Sequence, residues 1–111
     1  MRRVLLGEHQ AIQPVIVLVE VVAAMRRRTG SADVARRIAE ELRSFPLLQF
    51  VELDTLRADR ALEVALATGL RGMDAIVVQT AHEFGAVLTS IDNEMLQLAA
   101  SLVRTRPVDA F

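Results

Sequence analysis

The stretch Val15-Ile16-Val17-Leu18-Val19-Glu20-Val21-Val22-Ala23-Ala24-Met25 constrains the fold of this chain most, because it is almost wholly apolar and carries a single charge, Glu20. It is well short of the roughly 20 apolar residues that a membrane-spanning helix needs, so a membrane protein is not expected and the segment must cover its surface against protein. Pro14 suits the first turn of a helix, and Arg26, Arg27 and Arg28 stand where positive charge complements a helix C-terminus. A helix is therefore expected over residues 14–28. A carboxylate buried in it without a partner is costly, so Glu20 needs a cation, a proton or an exit to water. Two readings stay open: Glu20 lies at a solvent edge or against an arginine, or it is a ligand for a metal ion.

At 111 residues and 52% hydrophobic composition, the chain fits one globular domain spanning 1–111, and intrinsic disorder is not expected. The net charge is -1, so no global basic field draws in nucleic acid, and any RNA contact must be local. Cysteine is absent, which removes disulfides and thiolate zinc sites and makes a reducing cytoplasm the natural compartment. His9 and His82 have no second histidine at metal-ligand spacing and read as ordinary surface or packing residues. Val4-Leu5-Leu6 follows two arginines, as in a signal peptide, but Gly7-Glu8-His9-Gln10 breaks the apolar run, so no signal peptide is expected.

The rest of the chain alternates helix and strand signals. A short strand is expected over Gln10 to Gln13, before the first helix. Thr29-Gly30 stops that helix, and Ser31 caps a second one carrying Val34, Ile38, Leu42 and Phe45 at helical spacing, ended by Pro46. Leu48 to Leu53 predicts a strand, with Asp54 or Thr55 capping a helix from Leu56 to Thr68 whose large apolar residues are Leu62 and Leu66. Gly69 terminates it, and Leu70-Arg71-Gly72 connects to a helix from about Asp74 to Phe84, stopped by Gly85. Ala86 to Ser90 predicts a buried strand, Asp92 opens a last helix to about Val103, and Pro107 and Val108 close the chain. Strands separated by helices predict a layered α/β domain with a short, mostly parallel sheet.

Asp74 and Asp92 each stand at an expected helix start, where an aspartate commonly caps free N–H groups. Asp92 also follows a strand, at the carboxyl end where parallel sheets place ligands. Carboxylates converging there would suit Mg²⁺ or Mn²⁺, which take hard oxygen donors together with waters and phosphate oxygens. Arg26, Arg27 and Arg28 read either as a solvated helix end or as contacts for RNA phosphate; Arg71, close to Asp74, reads as a phosphate ligand or as a neutralising charge for the acids.

Three stretches occur together in one order: Val17-Leu18-Val19-Glu20-Val21, Gly69-Leu70-Arg71-Gly72-Met73-Asp74-Ala75, and Leu88-Thr89-Ser90-Ile91-Asp92-Asn93-Glu94-Met95. In this the chain resembles the PIN domain family and its VapC-type toxin branch, from about Gln10 to the end. The resemblance implies a layered α/β/α fold and Mg²⁺- or Mn²⁺-dependent cleavage of RNA. It implies that Glu20, Asp74 and Asp92 are three of the family's four acidic metal-site residues, with Ser90 as the hydroxyl beside the last. It also implies a homodimer restrained by a cognate antitoxin.

The family pattern begins with a strand ending in aspartate, and no aspartate precedes Glu20 in this sequence. The expectation is therefore a domain lacking the family's first strand, with neighbouring strand edges covered in a dimer or swapped assembly and Arg3-Val4-Leu5-Leu6 available as a makeshift strand. Two functions follow: a PIN-type endoribonuclease of the toxin class, or a non-catalytic remnant kept as a dimerisation or antitoxin-binding module.

Overall fold

A computed structural model describes residues 10–108. The makeshift strand expected at Arg3 to Leu6, and His9, lie outside the described residues. Strand β1 (Ala11–Pro14) leads directly into helix α1 (Val15–Thr29), with Pro14 (φ -64°) at the N-cap, where its fixed φ suits the turn into a helix. Gly30 ends α1 at φ +70°, a left-handed conformation that glycine alone adopts without strain, and its N–H reaches the Arg26 carbonyl. In α2 (Ala32–Ser44) the Ser31 hydroxyl accepts from the Val34 N–H at 3.2 Å, which is the expected cap.

Strand β2 (Leu48–Val51) returns parallel to β1, pairing Ala11 with Leu48 and Pro14 with Val51. Helix α3 (Thr55–Thr68) is capped by Asp54, whose Oδ1 accepts from the Arg57 N–H at 2.8 Å, so the aspartate rather than Thr55 takes the role. Helix α4 (Gly72–Glu83) starts two residues before Asp74. Strand β3 (Leu88–Ser90) is followed by α5 (Asn93–Ala99), which ends before the expected Val103. The chain turns there, with the Leu102 N–H on the Ala99 carbonyl, and lays Thr105–Pro107 as strand β4 parallel to β3. Sequence reading missed β4 because three residues ending in proline carry no alternation to detect. The described strands form two parallel pairs, β1 with β2 and β3 with β4. The mixed α/β class with short parallel sheets is as expected.

The buried core gathers Val78 and Ala81 of α4, Leu88 of β3 and Met95, Leu96 and Ala99 of α5, with Val64 and Leu70 packed against it. Helix α4 is thus the hub, apolar on most sides, as suits a helix covered by α3 and β1 together. In α3 the structure corrects the expected apolar face. Ala61 is buried, whereas Leu62 and Leu66 are 55% and 73% exposed. The small Ala61 lets the helix approach α4 closely, and the approach is clamped at one end by Arg57. Its Nε and Nη2 donate to the Glu83 carboxylate at 3.0 and 2.9 Å, and Gln79 Nε2 donates to the same carboxylate at 2.8 Å. These donors, Arg57 first, pull the Glu83 carboxyl down from 4.5 to about 2. Helix α1 also differs from expectation: Leu18 is buried, but Val19 and Val21 are exposed, because the helix packs on α2 and β1 along a narrow stripe. Among the described residues no helix is long and apolar enough to cross a membrane.

Candidate metal and phosphate cleft

The connector after α3 and the turn after β3 meet at one cleft of about 210 Å³. Gly69, at φ +73°, reverses the chain so that Leu70 and Arg71 lead back into α4. Arg71 occupies the N-cap of α4 with extended backbone and without a side-chain cap, and Asp74 sits in the first turn. The cap expected of Asp74 is therefore not its role. Its carboxylate makes no hydrogen bond or ion pair among the described residues and lines the cleft.

Asp92 reaches the same cleft from the N-cap of α5. One of its oxygens, Oδ1, accepts from the Met95 N–H at 3.2 Å, which leaves Oδ2 for another partner. Ser90 holds this turn from behind, its hydroxyl accepting from the Asp92 N–H at 3.0 Å. Ser90 does not itself line the cleft. Its hydroxyl positions the backbone that carries Asp92.

Glu94 also lines the cleft and was given no role by sequence reasoning. Its signal was an acid in the first turn of a helix, which ordinarily complements the helix dipole and so passes without notice. Arg71 lines the same cleft with no ion pair among the described residues, unlike Arg57, which is engaged by Glu83, Asp54 and the Glu52 carbonyl. Leu70 and Met95 supply apolar wall. The arrangement combines hard oxygen donors with one free guanidinium, which suits a divalent cation and a phosphate together.

Glu20 lies apart. It is exposed on α1 and is not among the residues lining the cleft. Among the described residues no three acidic or imidazole side chains come together as a metal-holding group, so the expected meeting of Glu20, Asp74 and Asp92 is not seen. The structure brings two of the three together. The physical reason is the narrow packing of α1 on α2 and β1, which turns Glu20 to solvent and relieves the burial penalty that had argued for a cation. Arg26, Arg27 and Arg28 are exposed at the end of α1 and do not line the acidic cleft either. His82 is exposed near the end of α4.

A family model described as PIN domain matches residues 2–101 of the chain. Comparisons with curated proteins and with solved structures give no match.

Proposed function

The chain belongs to the PIN domain family, a superfamily of nucleases, and on that premise we propose that it is a Mg²⁺- or Mn²⁺-dependent endoribonuclease of the VapC toxin type. The observation that carries this reading is the placement of Asp74 and Asp92, from different helices, in one cleft with Arg71. The donor set fits the ion, since Mg²⁺ is usually held by one or two carboxylates with waters completing its octahedron. Asp74 and Asp92 would hold it. A bound ion supplies Lewis-acid polarisation of the phosphodiester and a more acidic water.

The chain's own groups do the rest. Hydrolysis adds water across one P–O bond: the water oxygen bonds to phosphorus and the sugar oxygen departs and takes a proton. Asp74, unpartnered among the described residues, is available to receive the water's proton. Arg71 pairs with the phosphate oxygens and orients the strand. Ser90, through its bond to the Asp92 N–H, keeps the Asp92 carboxylate pointed from the N-cap. The RNA substrate, a cognate antitoxin and a homodimer or swapped oligomer are partners of this reading, and the cysteine-free composition agrees with a cytoplasmic setting.

A second reading is a non-catalytic PIN remnant that keeps an interaction surface, and the exposure of Glu20 outside the cleft favours it. Calorimetric titration with Mn²⁺, alongside cleavage of a single-stranded RNA, separates the two. Cleavage that disappears in Asp74→Asn supports the nuclease; wild-type protein that neither binds Mn²⁺ nor cuts RNA leaves the remnant.

A further inference from the structure

One carboxylate in the acidic cleft is left over once Asp74 and Asp92 are assigned to an ion. Asp74, Asp92 and Glu94 all line the cleft, yet among the described residues no three acidic side chains come together as a metal-holding group, so Glu94 stands outside the pair that would share a cation. Glu94 is exposed and makes no hydrogen bond or ion pair among the described residues. On α5 it is followed by Met95 and, one turn on, by Leu98, and all three line the cleft. Leu98 is 38% exposed, whereas Met95 is buried. The same lining holds Arg71, which has no ion pair among the described residues.

We infer that the α5 face of the cleft selects an unpaired ribonucleotide, with Glu94 accepting a hydrogen bond from the ribose 2′-hydroxyl and Leu98 supporting the attached base. The inference rests on the proposal that RNA phosphate and a divalent ion occupy this cleft. A ribonucleotide has three parts, and each meets its chemical complement here: the phosphate on Arg71, a hydroxyl donor on a carboxylate that only accepts, and an apolar ring face on Leu98. The 2′-hydroxyl is the donor that DNA lacks, so Glu94 is where this chain tells RNA from DNA. Facing a deoxyribonucleotide, the Glu94 carboxylate would stand near the strand's phosphates with no donor to offset their repulsion. Leu98 forms no hydrogen bond and so takes any base, but a base paired and stacked inside a duplex cannot reach it. No amide or hydroxyl side chain lines the cleft among the described residues, which leaves the sugar as the feature selected.

The test uses the full chain with a short fluorescent single-stranded RNA and the DNA of the same sequence, carrying deoxyuridine for uridine. Ca²⁺, a hard cation that takes the same oxygen donors, stands in for Mn²⁺ so that anisotropy reads binding rather than cleavage. Wild type is expected to bind the RNA about tenfold more tightly than the DNA, the effect of one hydrogen bond to a charged acceptor. Glu94→Ala should bring the two affinities close to equality, and Glu94→Gln, whose amide oxygen still accepts, should keep part of the preference. A single 2′-deoxy substitution in the RNA should reproduce the loss at one position, and combined with Glu94→Ala it should cost no more than either change alone. Leu98→Ala should weaken RNA and DNA alike, several-fold, without altering their ratio. Circular dichroism confirms that each variant is folded. Equal RNA and DNA affinity in wild type, an unchanged ratio in folded Glu94→Ala, or Mn²⁺ binding lost in Glu94→Ala as completely as in Asp74→Asn would overturn the inference. If wild type nevertheless cuts RNA, the nuclease reading survives that result; wild type that binds neither strand and no Mn²⁺ removes both.

Discussion

The two aspartates of the cleft carry different loads, and substitution separates them. Asp92 both caps α5 and faces the cleft. Asparagine caps a helix about as well as aspartate, so Asp92→Asn is expected to keep stability while weakening Mn²⁺ binding, whereas Asp92→Ala should also lose about 1 kcal/mol in urea unfolding. Asp74 has no structural bond among the described residues, and Asp74→Asn should abolish metal binding with unfolding unchanged to within about 0.5 kcal/mol. Glu20→Gln should leave the Mn²⁺ affinity unaltered in calorimetry, because Glu20 lies outside the cleft; an affinity lost as completely as in Asp74→Asn would refute that assignment. The acids were legible in the sequence by type and order. Which of them meet was not, because Glu20 was judged from the apolarity of its neighbours, and those neighbours are themselves partly exposed.

At the scale of elements, the α3–α4 contact depends on an alanine and an ion pair rather than on the leucines that dominate the α3 pattern. Ala61→Leu should overpack that contact and cost about 1–3 kcal/mol, while Leu66→Ser, at a 73% exposed position, should stay within about 0.5 kcal/mol by denaturant unfolding. The Arg57–Glu83 bond gives the pair a pH signature. Glu83 titrates at about 2 in the folded chain against an ordinary 4.5, so its contribution is complete above about pH 4.5 and is lost as pH falls towards 2. Glu83→Gln is expected to flatten the stability profile in that window; an unchanged slope between those values would contradict the clamp. Helix existence and most stops were readable because caps and glycines are local devices: Ser31, Asp54, Asp92, Gly30 and Gly69 all act where expected. The inward face of α3 was not readable, since it is chosen by what α4 offers opposite.

For the whole molecule, the exposed Leu62 and Leu66, one turn apart on α3, give the proposed homodimer an apolar patch outside the acidic cleft. Sedimentation of the wild type should show a concentration-dependent dimer, and Leu62→Glu with Leu66→Glu should shift it to monomer without unfolding; an unshifted dimer removes α3 from the interface. The sequence by itself determined the alternation of helix and short strand, the caps and stops, and the presence of three acids in family order, because these follow from neighbours a few residues apart. Only the tertiary structure decided that β4 pairs with β3, that Arg57 reaches Glu83, that Glu94 and Arg71 join the two aspartates, and that Glu20 does not. Each of these is a contact between segments far apart in the chain, set by how helices cross and how closely small residues let them approach, and no local pattern encodes it.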